Sequence, residues 1–357
     1  MSTATQTPSA PWTQDRLHKA WQMLTQADPK LRIRNAADEL GVGEAQLLST
    51  RLGQGVTRLS NQWAALIEGV EALGEVMALT RNQHAVHEKV GTYQNIDIGP
   101  HVGLVLDKDI DLRIFVSQWA YGFAVENEDA RSKKVRHSLQ FFDKHGTAVH
   151  KIFMRPTSDM DAYKTLVATH RSDDQQFIAQ VEPAPTPKSE TPDEEIDVEG
   201  FQQNWKDLQD THDFFGMLRK FGVGRTQALR LAPEGFSWKV KPESLRQTLQ
   251  QASADDIPIM VFVGNRGMIQ IHTGPVNKLL ETGPWYNVLD PGFNLHLRED
   301  AIDTAWVVRK PTVDGVVTSL ELFDKDGGNI AMLFGERKPG IKELLTWRQV
   351  AESLPRA

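Results

Sequence analysis

Two stretches of the chain, HSLQFFDKHGTA (137–148) and TSLELFDKDGGN (318–329), match at an offset of 181 residues. The same offset pairs the GVG at 41–43 with the GVG at 222–224, and an offset of 183 pairs VLD (105–107) with VLD (288–290). Matches that recur in the same order along the chain indicate a tandem duplication. The matched pairs of the two long stretches are Ser138/Ser319, Leu139/Leu320, Phe142/Phe323, Asp143/Asp324, Lys144/Lys325 and Gly146/Gly327.

Each half repeats one order of hydrophobic patterns. Helical spacing comes first, then apolar or alternating runs typical of strands, then a hairpin at DKHG or DKDG, and finally a closing helix. The fold class predicted is α+β, a tandem duplication of a unit with N-terminal helices followed by a largely antiparallel β-sheet and a closing helix. The helices are predicted at 15–25, 35–40, 44–51, 59–73 and 159–169 in the first half, and at 201–221, 225–231 and 341–354 in the second.

An acidic strip, VEPAPTPKSETPDEEIDVEG (181–200), separates the halves. Its four prolines, seven acidic residues and single lysine are typical of a linker, because proline and self-repulsion oppose a packed core. We therefore predict a first repeat over 1–180, a linker over 181–200 and a second repeat over 201–357. The linker carries −6 of the formal charge of −7, so the two repeats together are nearly neutral.

Composition excludes several classes of protein. The chain has no cysteine, which excludes disulfides, zinc–thiolate sites, iron–sulfur clusters and covalently attached or thiolate-ligated haem. No run approaches the roughly 18 apolar residues of a membrane span, and the first twelve residues lack the pattern of a secretory signal, so we expect a cytoplasmic protein without membrane insertion. The pI of about 5.9 argues against non-specific binding to nucleic acid.

One histidine interrupts a hydrophobic pattern. His212 falls on the apolar stripe of the predicted helix 201–221, whereas the corresponding residue of the first half is Leu31. Two interpretations remain open: a buried imidazole bonded to the backbone, or the single axial ligand of a haem held without cysteine. The motifs WVVRKPT (306–312) and FGERKPG (334–340) supply cations that could pair with haem propionates, although a solvated basic edge has the same pattern.

Two further motifs have ordinary explanations. HAVHEK (84–89) lacks the spacing of the HExxH zinc motif and predicts a solvated strand. NAADELGVGEAQLLSTRLG (35–53) resembles a helix-turn-helix, but its second helix carries a single arginine, which favours a packed helix pair. A haem-responsive DNA-binding regulator that uses this helix pair is the alternative function.

The longer motifs resemble a known family. DTHDFFGMLRKFGVGRTQAL (210–229), GNRGMIQIHTGPV (264–276), WVVRKPTVDGVVTSLELFD (306–324) and LFGERKPG (333–340) are similar to the cytoplasmic hemin-transport and hemin-degrading proteins of bacterial haem-uptake systems, the HemS/ChuS type. The first half agrees through TRNQHAVHEKVGTY (80–93) and DLRIFVSQWAYGFA (111–124). The resemblance implies two repeats of one α+β unit with haem held between them.

The resemblance also implies roles for individual residues in binding haem b non-covalently. His212 would be the axial ligand of the iron, and Arg113 the distal arginine, which is also the catalytic residue if the protein is an enzyme. The other implied contacts are the apolar residues Phe115 and Phe262 and the cations Arg225, Lys310 and Arg337.

The implied function is to receive imported haem, with an inner-membrane haem importer as donor. The haem is then either passed to a haem oxygenase or another acceptor, or degraded with release of iron by a haem oxygenase-like activity that needs an external reductant. The sequence does not choose between carrier and enzyme.

Overall fold

The structure is a computed structural model and describes residues 11–128, 134–186, 189–338 and 340–357. Three parts of the sequence discussed above lie outside the described residues: the first ten residues, Pro187 and Lys188 of the acidic strip, and Pro339 of the second RKP motif. None of the helices in the described ranges is both long enough and apolar enough to span a bilayer.

Ten α-helices occur in these ranges, and they include the predicted ones with one exception. The expected single helix over 201–221 is wrong: two helices, α6 and α7, are separated by residues 207–212, where Asp and Thr side chains compete for backbone groups and favour turns. The helices are α1 Gln14–Ala27, α2 Ile33–Leu40, α3 Glu44–Ser49, α4 Trp63–Gly69, α5 Met160–Thr169, α6 Val198–Lys206, α7 Asp213–Phe221, α8 Arg225–Arg230, α9 Ser244–Ala254 and α10 Leu345–Ser353.

Eighteen strands are present in the described ranges. They are β1 Val56–Arg58, β2 Val76–Arg81, β3 Ala85–Gly91, β4 Ile96–Ile98, β5 Gly103–Leu106, β6 Asp111–Ile114, β7 Trp119–Glu128, β8 Val135–Asp143, β9 Ala148–Met154, β10 Ser237–Val240, β11 Ile259–Gly264, β12 Met268–Gly274, β13 Leu279–Thr282, β14 Trp285–Asp290, β15 Phe293–Arg298, β16 Thr304–Thr312, β17 Gly315–Phe323 and β18 Asn329–Gly335.

Both GVG motifs connect a helix to the next one. The first glycine of each ends a helix in the left-handed conformation, with φ of 66° at Gly41 and 67° at Gly222, which glycine adopts without strain. The third glycine is the N-cap of the following helix, so Glu44 and Arg225 open α3 and α8 at corresponding places.

The chain folds into two compact units. Unit 1 comprises Met1–Val76, Ile98–Val102 and Phe115–Ala184, and unit 2 comprises Met77–Asp97, Gly103–Ile114 and Pro185–Ala357. In unit 1 the strands pair antiparallel in the order β1-β7-β8-β9. Two buried clusters stabilise it, one around Phe123 and Phe142 of these strands and one that joins Leu17 of α1 to Leu47 of α3.

Unit 2 contains a nine-stranded antiparallel sheet in the order β10-β16-β17-β18-β11-β12-β6-β5-β4. One face of this sheet packs into the main core together with α9, α10 and the strands β14 and β15. The opposite face is covered by α6, α7 and α8 at its β16 and β17 end, where Trp205 donates a hydrogen bond from Nε1 to the carbonyl of Arg309 at 3.0 Å. This arrangement leaves the remainder of that face available for a site.

Strands from the first half of the sequence complete the sheet of unit 2. Residue Ile269 of β12 pairs with Arg113 of β6, and Val86 of β3 pairs with His296 of β15. The two pairings are equivalent at the 183-residue offset, so β4–β6 and β13–β15 have exchanged places between the repeats. The compact units and the sequence repeats therefore have different boundaries.

The described part of the acidic strip packs against α8. Glu190 and Asp193 pair with Arg230 at 3.0 and 3.1 Å, and Gln227 donates a hydrogen bond to the carbonyl of Thr191 at 2.6 Å. Ile196 is buried in the cluster beneath α6 and α7. These contacts help to fix α8, whose first residue is Arg225.

Candidate functional site

The uncovered face of the unit 2 sheet is built from residues that lie opposite one another on successive strands. Glu321 of β17 lies opposite Met332 of β18, Met332 opposite Phe262 of β11, Phe262 opposite Ile271 of β12, and Ile271 opposite Asp111 of β6. Residues paired in this way across antiparallel strands share one face. The row therefore runs from one acidic side chain to another across an apolar centre.

Flanking rows widen this apolar centre. We define the apolar sheet face as Met260, Phe262, Ile269, Met332 and Phe334, all of which are half-buried, whereas the alternate residues of the same strands point into the core. The rings of Phe262 and Phe334 contact edge to face with centroids 5.0 Å apart. Ligand sites are typically apolar surfaces of this kind bordered by a few polar groups.

A buried ion cluster forms one border. The Glu321 carboxylate accepts hydrogen bonds from Arg225 Nε at 2.8 Å, Arg225 Nη2 at 2.9 Å and Lys310 Nζ at 2.8 Å. Burial alone would raise the pKa of Glu321, but the two cations outweigh burial and lower its pKa well below the ordinary value. The cluster thus joins two basic side chains to one carboxylate, and its partly exposed member, Arg225, gives this border a guanidinium that favours an anion nearby.

The two cations of this cluster differ in exposure. Arg225 is partly exposed and its Nη2 lies 3.2 Å from Met332 Sδ, so it borders the apolar sheet face. Lys310 is only 3% exposed, its Nζ lies 4.6 Å from the centroid of the Phe214 ring, and burial lowers its pKa. Direct contact of Lys310 with a carboxylated ligand stays a prediction.

Arg113 borders the opposite side of the apolar sheet face. Its Nη1 pairs with Asp111 and donates to the carbonyl of Leu112 at 3.2 Å. Burial raises the pKa of Asp111, although the charge of Arg113 opposes that effect. The pair holds a guanidinium at the β6 edge of the face, with side chains on alternate residues of one strand.

Arg337 lies just beyond the end of β18. Its Nη2 is 3.8 Å from Asp314, which belongs to the turn between β16 and β17. Its Nε is buried and has no hydrogen-bond partner among the residues that the structure describes. A donor in that state has capacity left for a ligand oxygen.

His212 lies in the turn that separates α6 from α7. The expectation that it occupies an apolar helical stripe is wrong: it is the N-cap of α7, and its side chain is 83% exposed. The turn is anchored to the β16–β17 hairpin, because the amide of Val313 donates to the carbonyl of Gln209 at 3.0 Å. Arg337 contacts the same hairpin through Asp314, so both predicted ligand-binding residues are attached to it.

The imidazole of His212 is held by Asp210. Its Nδ1 lies 2.6 Å from Asp210 Oδ1, which also accepts the His212 backbone N–H at 2.9 Å. The backbone hydrogen bond is the main factor that lowers the pKa of Asp210, so its carboxylate is ionised at neutral pH. A carboxylate oxygen only accepts, so this hydrogen bond places a proton on Nδ1 and leaves Nε2 as the ring nitrogen that could bind a metal.

The structure thus gathers six of the seven predicted site residues in unit 2. Arg113, Phe262 and Arg225 line or border the apolar sheet face, while Lys310, Arg337 and His212 lie on the adjoining elements. The seventh, Phe115, directly follows β6 in the chain, is half-buried and belongs to unit 1.

Among the described residues of the first repeat, the ion cluster has no equivalent. At the 181-residue offset its position holds a buried pair, in which Lys151 donates to Glu44, and a neutral glutamine. At these positions the first repeat has one basic side chain and one carboxylate, in place of two basic side chains around one carboxylate. The residues that correspond to Arg225, Glu321 and Met332 are Glu44, Gln140 and Lys151.

The helix pair on which the DNA-binding interpretation depends, α2 and α3, has its second helix buried in the protein. Every residue of α3 is buried, including Glu44 and Gln46. A recognition helix must expose one face to a DNA groove, so α3 is unsuited to that function.

The expected solvated strand at 84–89 is wrong. His87 and Lys89 of β3 are buried, and Lys89 Nζ lies 3.0 Å from Nδ1 of His272 on β12. The polar residues of HAVHEK suggested a solvent-exposed strand face. In the structure, however, β3 is an interior strand of the sheet, with β2 and β15 as neighbours.

A family model for the haemin-degrading HemS.ChuX domain matches the chain twice, over residues 41–170 and 222–354. The chain belongs to this family. Each match begins at a GVG motif, and the acidic strip lies between them, which confirms the tandem duplication.

Relatives of this HemS-family chain match along almost its whole length. The hemin transport protein HmuS of Yersinia pestis is 41% identical over 331 residues, which are 90% of this chain and 92% of HmuS. Holo-PhuS, a heme-binding protein from Pseudomonas aeruginosa, is 43% identical with a TM-score of 0.94, covering 97% of this chain and 100% of PhuS. The heme degrading enzyme ChuS of Escherichia coli O157:H7 is 36% identical with a TM-score of 0.90, covering 96% and 100%. The α+β fold class is confirmed.

Several residues of the site escaped sequence reasoning. Met260, Met332 and Phe334 alternate along their strands with core residues, and the pattern does not say which face stays uncovered. Glu321 lies within an apolar run and was not predicted as a site residue. The matching residue of the first repeat is the neutral Gln140, and this difference could have pointed to Glu321.

Proposed function

We propose that this HemS-family protein is a cytoplasmic haem-binding protein of a haem-uptake system. It receives imported haem b, binds it non-covalently, and passes it to an acceptor or degrades it with release of iron. The inner-membrane importer would be the donor, and a haem oxygenase or another haem-binding protein the acceptor. The names of HmuS, PhuS and ChuS as hemin-transport, heme-binding and heme-degrading proteins support this function.

The observation that carries the proposal is the combination of groups around the apolar sheet face. An exposed imidazole with a free Nε2, an apolar surface of aromatic and methionine side chains, and guanidinium groups at its borders fit a ligand with an iron, a flat apolar body and carboxylates. Within the described residues, Arg337 Nε has no hydrogen-bond partner, so it can donate to a carboxylate oxygen of the ligand.

Each side chain then has a defined task. His212 would hold the iron through Nε2, and Phe262 would contribute apolar contact. Arg225 and Arg337 would pair with the propionates, and Arg113 would offer a guanidinium to groups bound at the iron. When bound, the haem supplies an iron centre for oxygen chemistry; Arg113, fixed by Asp111, provides hydrogen-bond donors on that side.

The first test is titration of the purified protein with hemin. The wild type should give a sharpened Soret band with one haem per chain. His212→Ala should lose or shift that band and bind roughly tenfold more weakly or worse, about 1.4 kcal/mol. The control is His145→Ala, which removes an imidazole whose Nδ1 lies 3.2 Å from the carbonyl of Glu182 in unit 1. An unchanged spectrum in His212→Ala would refute the ligand assignment.

The second test separates the carrier from the enzyme. Haem-loaded protein is mixed with ascorbate, with and without catalase, and its absorbance is followed. A Soret band that persists in both mixtures indicates a carrier. Loss of the band with catalase present, with released iron and a tetrapyrrole product, indicates an enzyme, whereas loss only without catalase indicates peroxide damage.

A further inference from the structure

Asp210 binds both the main chain and the ring of His212 through one oxygen atom. Asp210 Oδ1 accepts the backbone N–H of His212 at 2.9 Å and lies 2.6 Å from Nδ1. The ring is 83% exposed, so packing does little to fix its orientation. Among the described residues, Asp210 is the one side chain that hydrogen-bonds this ring.

The contact selects one form of the imidazole. A neutral imidazole carries its proton on either nitrogen, and only the form protonated at Nδ1 leaves Nε2 free as a donor to a metal. Asp210 Oδ1, which already accepts the backbone N–H of His212, lies 2.6 Å from Nδ1 and favours that form because a carboxylate oxygen accepts a hydrogen bond. A carboxylate on the far nitrogen of a ligating histidine also makes the near nitrogen a stronger donor.

Asp210 is itself held in place. The carbonyl of its neighbour Gln209 accepts a hydrogen bond from the Val313 amide at 3.0 Å, which ties the turn to the β16–β17 hairpin. The amide of Asp213 donates to the Asp210 carbonyl at 3.2 Å, and the charge of Arg337 acts on the Asp210 carboxylate. The turn therefore presents Asp210 to the imidazole before any ligand arrives.

We propose that Asp210 is the positioning residue of the haem site: it fixes the tautomer and orientation in which His212 offers Nε2 to the iron, and it strengthens that bond. This inference rests on the proposed function and names a group that acts through His212 without touching the ligand.

The test compares Asp210→Ala, Asp210→Asn and Asp213→Asn with the wild type. Asp213→Asn is the matched control, because Asp213 is exposed, lies next to His212, loses the same charge and has no described bond to the ring. The measurements are equilibrium binding of ferric haem, the iron–histidine stretching frequency of the ferrous complex by resonance Raman, and the reduction potential. Thermal melting of the ligand-free variants checks that each one folds.

We expect Asp210→Ala to bind ferric haem about 10 to 100 times more weakly, the usual effect of losing such a partner. Its iron–histidine stretch should move to lower frequency and its reduction potential should rise. Asp210→Asn should be intermediate, because the amide keeps an acceptor oxygen without the charge, and Asp213→Asn should match the wild type.

Two results would overturn the inference. One is an Asp210→Ala protein with wild-type affinity and stretching frequency, and the other is an Asp213→Asn protein as impaired as Asp210→Ala, which would indicate a general charge effect. Failure of the proposed function looks different. In that case the wild type itself gives no histidine-ligated spectrum, or His212→Ala leaves it unchanged, and the role of Asp210 falls with it.

Discussion

The rings of His87 and His272 lie against the same aromatic side chain in the core of unit 2. His272 stacks on Phe293 with centroids 3.7 Å apart, and His87 contacts that ring at 4.9 Å. Burial and the nearby Lys89 lower the pKa of His272 to about 3, and burial, His272 and Lys89 lower the pKa of His87 well below its ordinary value. Both rings are therefore neutral in the folded protein, whereas unfolded histidine titrates near about 6.5.

This difference predicts a loss of stability in acid. Below about pH 6.5 the unfolded chain takes up protons that the folded protein excludes, so the free energy of unfolding falls. For His272 the fall between pH 6.5 and 5 is about 1.6 kcal/mol, and His87 contributes in the same direction. His87→Gln should lose less over that interval, because Gln does not titrate and Gln270 is the residue at the corresponding position of the other repeat. Urea denaturation at several pH values measures the difference. Equal losses in both proteins would contradict the prediction.

At this scale the sequence identified residue types better than environments. The absence of cysteine directed attention to histidine, and the contrast with Leu31 singled out His212. Its location at a helix N-cap was missed, because a continuous apolar stripe conceals a break between two helices whose faces happen to align. Asp210 and Asp111 lie two residues from the side chains that they bind, so they were within reach of a local interpretation. Glu321 is 96 residues from Arg225, and spacing alone does not reveal that contact.

The apolar sheet face makes a prediction at the scale of a structural element. Phe334 of β18 is half-buried and contacts Phe262, so Phe334→Ala should weaken haem binding roughly tenfold, about 1.4 kcal/mol. The loss of folding stability should be smaller than the about 3–5 kcal/mol typical of a fully buried Phe. Hemin titration and urea denaturation measure the two effects.

The duplication supplies the control for that experiment. Phe153 of β9 corresponds to Phe334 at the 181-residue offset and is also half-buried. Near Phe153, the buried ion pair of Glu44 and Lys151 takes the place of the ion cluster of the second repeat. Phe153→Ala should therefore keep wild-type haem affinity. Equal weakening by both substitutions would show that the effect is not specific to the apolar sheet face.

Elements were predicted unevenly, for identifiable reasons. The sequences of β11, β12 and β15 indicate strands, because their apolar or alternating runs end at Gly, Pro and Asp. Helix α9 was missed although Leu245, Leu249 and Ala252 recur at helical spacing, since the surrounding Gln and Ser residues weaken the apolar signal. Which sheet face stays uncovered is decided by where α6, α7 and α8 pack, which strand patterns do not contain.

At the scale of the whole molecule, the duplication was visible in the sequence but the exchange of strands was not. The strands β4–β6 and β13–β15 carry equivalent patterns, and Ile269 pairs with Arg113 in the same register in which Val86 pairs with His296. Two copies with one pattern fit either sheet equally well by local rules. Loop lengths and packing decide which strands pair, and the periodicity of the sequence does not reveal either of them.

The exchange predicts how the second repeat behaves when it is separated from the first. A fragment of residues 189–357 lacks β3 and β6, so β15 and β12 both lose a neighbour and expose an unpaired edge. Because Arg113 and His296 occupy equivalent positions, β12 of one copy can pair with β15 of another, as in domain swapping. We expect a folded dimer by light scattering, which should give way to a 1:1 complex when residues 11–186 are supplied. A folded fragment that stays monomeric at all concentrations would contradict an exchange between equivalent strands.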